Sequence, residues 1–247
     1  MSCHAEFLRV ALDGNDRLPR AVLGELSTLG DACTTSRQKA LVELVTAVTV
    51  APWSLSRAHH QRATVAGLTD DDLLHAIALS AYFGHLNRIA DAVAVPLDYA
   101  VQLPGHHADP TTPALSPASD IIAGRQAIDL TKRPATATAL AEWRTYLIQK
   151  DQPITRRQRT LIVRWVANWL GDGGISAPSD VTANPLDGAL CSLAEIVTLA
   201  PWKLSDACFE ELRRDGFDDV ALFDVCATAS AAGLFSRIEV ALVALGT

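Results

Sequence analysis

Apolar and polar residues follow one another along this chain with the period of a helix, and the same succession is spelled out twice. Between residues 36 and 50, Leu41, Leu44, Val45 and Val48 fall at i, i+3, i+4 and i+7, one face of a helix. Pro52 ends the run, because its ring excludes a continuing helix and restricts the residue before it. Ser56 has the character of an N-cap for a short helix that stops at Gly67, the residue best able to adopt a left-handed cap. Thr69 with Asp70, Asp71 and Asp72 opens a longer helix, its hydroxyl capping the end and its carboxylates beside the positive pole. That helix is expected to run to about Val95, where Pro96 closes it.

A shift of 149 residues brings the second copy into register. Ala51-Pro52-Trp53 lies over Ala200-Pro201-Trp202, Leu55-Ser56 over Leu204-Ser205, Gly67 over Gly216, Gly84 over Gly233 and Arg88-Ile89 over Arg237-Ile238. Fourteen of the 45 positions from 51 to 95 are identical without a gap. Agreement at Pro, Trp, Gly and Arg together marks an internal repeat. Upstream, Ala40-Leu41, Leu44 and Val48-Thr49 recur as Ala189-Leu190, Leu193 and Val197-Thr198. In the second copy Ser205, Gly216 and Asp218 take the parts of the two helix starts and the stop between them.

The stretch 104–118, from Pro104 through His106, His107 and Asp109 to Pro117, is dense in breakers and reads as a linker. Further helices are expected at about 119–131, 135–150 and 155–170, with 171–186 a loop, and strands have little room. The fold class that follows is all-α. Residues 1–103 form a first helical unit and 119–247 a second, packed face to face so that one chain imitates the dimer of a smaller ancestor.

Composition narrows the partners. Hydrophobic residues make up 49% of the 247, enough for a substantial core, and the net charge of -7 gives no electrostatic source for attraction to nucleic acid or anionic lipid. Apolar stretches such as 41–50 are short and interrupted by Glu43 and Thr46, so no membrane segment is expected. The first residues have neither a basic region nor an apolar core ahead of a cleavage site, which points to the cytoplasm. Cys3, Cys33, Cys191, Cys208 and Cys226 are scattered with no CxxC, against both a zinc site and a disulfide framework. No metal or other cofactor is expected: His106, His107 and Asp109 lie in a Pro-rich linker, a poor frame for fixed coordination.

The candidate chemistry centres on the first long helix. Tyr82, His85 and Arg88 are spaced i−3, i, i+3 and share a face that could line a pocket and supply acid–base function; a packed or surface histidine is the alternative. His59, at the start of the short helix, and Arg237, the counterpart of Arg88, are the candidate substrate-binding residues. Arg88 and Arg237 either point into a cleft between the units and bind an anion or tie their helices to neighbouring carbonyls or carboxylates. Arg88 has Asp91 at i+3, whereas Val240 stands at that place after Arg237. Trp53 and Trp202 read as anchors of the helix junction, and Gly84 and Gly233 as points of close helix approach. Cys208 and Cys226, on successive helices, could approach one another or lie inert in the core.

Several of these residues carry a family resemblance. Glu43-Leu44-Val45, Ala51 to Ser56, Ala66 to Asp72 and Ala81 to Ala92, with Asn87-Arg88-Ile89-Ala90-Asp91 the most specific stretch, resemble the C-terminal part of peroxidase-related proteins of the alkylhydroperoxidase D / carboxymuconolactone decarboxylase superfamily. The residues 190–245 are similar, and 156–167 resemble the helix that precedes that family's active site. The resemblance implies an all-helical fold, a homo-oligomer, and in active members a CxxC with nearby Glu and His that reduces hydroperoxides. That chemistry needs one thiolate to attack and a second to resolve the sulfenic acid. Here the residues after Ala167 are Asn168 to Gly174, with no cysteine. The expectation is therefore a divergent member without dithiol peroxidase chemistry, with a ligand-binding or assembly role and a small molecule as possible ligand. The alternative is an enzyme, a thiol-independent decarboxylase or isomerase, or a peroxidase-related oxidoreductase, using a cleft around His85.

Overall fold

In the computed structural model the described residues are Cys33, 35–95, 134–172 and 184–246. The linker at 104–118, the helix expected at 119–131 and the N-terminal residues read for a targeting signal lie outside them. Eight α-helices and no strand occur among the described residues: α1 (Ser36–Val50), α2 (Arg57–Val65), α3 (Asp70–Ala92), α4 (Pro134–Gln149), α5 (Arg156–Trp169), α6 (Pro185–Leu199), α7 (Glu210–Arg214) and α8 (Asp219–Leu245). The protein is all-α.

Elements recur at the spacing of the sequence repeat. α1 and α6 begin and end 149 residues apart, as do the 3-10 turns Pro52–Ser54 and Pro201–Lys203, and α8 starts 149 residues after α3. The reasons are local. Thr35 and Thr69 cap α1 and α3 in capping boxes with Gln38 and Asp72, and Asp218 caps α8. Gly67 and Gly216 take φ of 84° and 90°, a region closed to most side chains, and so separate the short helices from the long ones.

The two long helices end differently. α3 stops at Ala92, three residues short of the expected end: Val95 precedes Pro96 and is steered out of helical geometry, and Ala94 turns the chain at φ 47°. α8 has no such proline and continues to Leu245, where Gly246 caps it at φ 74°.

α8 crosses α3 and is the centre of the molecule. Leu222, Val225, Cys226, Ala229 and Ala232 join a core with α5 and α6, whereas Ala231, Leu234, Phe235, Ile238 and Ala241 join one with α1 and α3. Serving two cores leaves little polar face, and 18 of its 27 residues are buried. α8 has the length and composition to cross a bilayer, and 72% of its apolar window is buried within the bundle. In α3, by contrast, four of 23 residues are buried. Its Leu79, Tyr82, Phe83 and Leu86 are exposed, while their counterparts Thr228, Ala231, Ala232 and Phe235 are covered.

α5 accounts for much of that cover. Arg159, fully buried, donates to the carbonyls of Lys150 and Gln152, to Thr228 Oγ1 and to the Asp224 carboxylate; Asp224 also accepts from the Ile154 amide. A buried guanidinium is tolerable only when its donors are satisfied in this way. The arrangement fixes the 150–155 segment and α5 against α8.

Candidate functional site

Where the two long helices meet the Pro-Trp corners, four residues of each repeat form one device. Pro52 forces Ala51 out of helical geometry (φ −145°), which takes away the amide that the Thr49 carbonyl would have bonded; Pro201 and Ala200 (φ −142°) do the same to Thr198. Both threonine hydroxyls turn back on their own helices, to the carbonyls of Val45 and Ala194 at 2.8 and 2.6 Å. The orphaned carbonyls receive arginines from the opposite copy. Arg88 donates through Nε to Thr198 at 3.1 Å, and Arg237 donates through Nε to Thr49 at 3.2 Å. Arg237 also reaches Thr198 through an η nitrogen at 3.3 Å.

Each arginine is steadied by its own helix, through an η nitrogen to the carbonyl one turn back, Gly84 at 2.7 Å and Gly233 at 3.1 Å. A Cβ at either glycine would lie 2.9 or 2.8 Å from that nitrogen. Another helix comes close only at Gly233, where Val166 and Leu170 would lie 3.9 Å from the Cβ; at Gly84 the one near atom is the Arg88 nitrogen, and what both glycines provide is room for the guanidinium.

Electrostatically the pair is costly. Burial pulls the Arg88 guanidinium down to about 10, with Asp91 opposing, and pulls Arg237 well below its ordinary value, with the Arg88 charge adding to the effect. The compensating groups are the C-terminal ends of α1 and α6, whose carbonyls carry the negative pole of each helix.

The other candidates stand apart from this device. His85 is half-buried on α3, its Nδ1 2.8 Å from Ser230 Oγ on α8 and its ring edge-on to Trp143 of α4 at 5.1 Å. Burial lowers its pKa, the Ser230 contact opposes this and the Arg88 charge adds to it. Tyr82 is 46% exposed with its ring edge-on to Phe83, while Arg88 points inward to carbonyls. The three therefore present different environments along one helix. His59 is taken up by the start of α2: its Nδ1 accepts the Ser56 amide at 3.2 Å, and its Nε2 stands 3.9 Å from Glu43.

Trp53 packs against the core of the second unit and on Gly171, where a Cβ would come within 2.9 Å of its own; Trp202 is 39% exposed. The anchoring role read for both thus holds for Trp53 most strongly. Cys191, Cys208 and Cys226 are free thiols. Burial pushes Cys191 and Cys226 up to about 12, aided at Cys191 by Asp187 and Glu195 and at Cys226 by neighbouring Cys208. Glu195 is itself raised by burial. The indole N–H groups of Trp165 and Trp169 lie close enough to favour its charge, yet neither meets hydrogen-bond geometry.

Sequence reasoning singled out the arginines and glycines but missed Thr49, Thr198, Ser230 and Arg159. The threonines carried a signal, their recurrence beside the prolines; Ser230 carried none, since Ala81 is its counterpart. No family model matches the chain, and neither a curated protein nor a solved structure matches it.

Proposed function

We propose that the two repeats pack as a pseudo-dimer and that the chain is a divergent relative of the alkylhydroperoxidase D / carboxymuconolactone decarboxylase proteins, with a ligand-binding or assembly role in place of dithiol peroxidase chemistry. The observation that supports the pseudo-dimer is the reciprocal placement of Arg88 on Thr198 and Arg237 on Thr49; the kinship rests on the resemblance of the residues from Glu43 to Ala92. Exchange of the same contact in both directions is the signature of a two-fold interface. It also occupies the two repeated cations with structural carbonyls instead of substrate. The thiols support the second half: a peroxidatic cysteine needs a stabilised thiolate, and Cys191 and Cys226 are held in the opposite sense.

The test is a hydroperoxide-reduction assay with a dithiol reductant, on the wild type and on a variant with all five cysteines replaced. Equal, background rates in both support the reading, and turnover that disappears with the cysteines refutes it. A second reading, an enzyme working through His85 without thiols, is favoured by one observation: a histidine whose charged form is disfavoured by burial, one turn from exposed Tyr82.

A further inference from the structure

Ser230 meets His85 twice. Its Oγ lies 3.0 Å from the His85 carbonyl oxygen, to which it donates, and 2.8 Å from Nδ1. A hydroxyl has a single proton to give. Were that proton on Nδ1, two bare oxygens would face each other at 3.0 Å and one hydrogen bond would form where two are available. With the proton on the carbonyl, the hydroxyl is left as an acceptor, and Nδ1 must carry the ring hydrogen.

We infer that Ser230 is a positioning residue that locks neutral His85 in the Nδ1–H tautomer, leaving Nε2 as a bare acceptor for the hydroxyl of an aromatic or aliphatic alcohol. The inference rests on the second reading above. Nε2 makes no hydrogen bond among the described residues, and Trp143 packs edge-on against the ring. Apolar surface is available nearby, since Tyr82, one turn before His85, and Leu86, next to it, are exposed on α3. The nearby cation offers no acceptor, because a guanidinium has no lone pair to give. The pair is also independent of the repeat's architecture: the counterparts of His85 and Ser230 are Leu234 and Ala81, so neither is required by the shared framework.

Long-range proton–nitrogen NMR of the full chain labelled with 15N-histidine, with His85→Gln assigning the signal, reads the tautomer directly. The expected spectrum at neutral pH has a protonated Nδ1 and a bare Nε2. Ser230→Ala should convert it to the Nε2–H form or an average, and Ser230→Thr should restore it. Phenol, as the probe, should move the Nε2 signal in the wild type and leave it in place in Ser230→Ala. A protonated Nε2 in the wild type, or a tautomer indifferent to Ser230→Ala, overturns the lock. An Nε2 signal that phenol never moves overturns the ligand class. Absence of any turnover alongside the expected tautomer counts against the enzyme reading alone.

Discussion

The guanidinium of Arg88 closes the end of a helix that begins almost a hundred residues after it: its Nε donates to the Thr198 carbonyl at the C-terminus of α6, just before Ala200 leaves helical geometry ahead of Pro201. A hydrogen bond to a charged group contributes about 1.5–3 kcal/mol, and Arg237 still reaches the Thr198 carbonyl when Arg88 is removed. Replacing Arg88 by methionine should therefore lower stability by about 1.5–3 kcal/mol in urea unfolding. Lysine should restore little, since a point charge cannot serve the Gly84 and Thr198 carbonyls together.

Arg159 and Asp224 form a buried pair, and breaking it from one side leaves an uncompensated charge. Asp224→Ala is expected to cost about 3–5 kcal/mol, measured by chemical denaturation. Arg159→Met with Asp224→Leu should cost clearly less than the sum of the single changes, because the double variant buries no charge.

Asp72 caps α3 and pairs with Arg37, and the Thr69 amide and hydroxyl bonds, with Arg37, bring its carboxyl down from 3.8 to about 2. A carboxylate whose folded-state pKa is depressed stabilises the fold above its unfolded value and loses that contribution as pH falls through the folded one. Stability should thus drop between about pH 4 and pH 2 by more in the wild type than in Asp72→Asn. Urea midpoints across that window measure the difference.

Thiol labelling offers a separate check. Cys191 and Cys226 are buried with their thiolates strongly disfavoured, whereas Cys208 is half-buried on the turn before α7. Native protein should be alkylated at Cys208 well before either of the other two, as read by peptide mass spectrometry, with all becoming reactive in denaturant.

How much of this could be read in advance depends on range. Pro52, Ser56, Gly67 and Thr69 act within a few residues of themselves, so the helices they start or stop stand where the sequence places them. Arg88 and Arg237 were recognisable as a repeated pair, and tying to carbonyls was one of their two readings. Which carbonyls, and that each lies in the other copy, depends on how α3 and α8 cross. At Gly84 the role is hidden because a helical glycine suggests a nearby helix before it suggests the arginine one turn ahead. The burial of α8 and exposure of α3 at matching positions had only a faint trace, Thr228, Ala231 and Ala232 standing where Leu79, Tyr82 and Phe83 stand in the first copy. Arg159 was invisible because an arginine in an amphipathic helix ordinarily faces solvent.

The most direct measurement is a double-mutant cycle on Gly84 and Arg88, read by urea unfolding. Alanine in place of a mid-helix glycine normally adds about 1 kcal/mol. Here the new Cβ would sit 2.9 Å from the η nitrogen that bonds the Gly84 carbonyl, on a guanidinium whose Nε is held by the Thr198 carbonyl. Gly84→Ala should therefore destabilise the wild type but stabilise the Arg88→Met background by about 1 kcal/mol. An effect of the same sign in both backgrounds would contradict the arginine-capped junction.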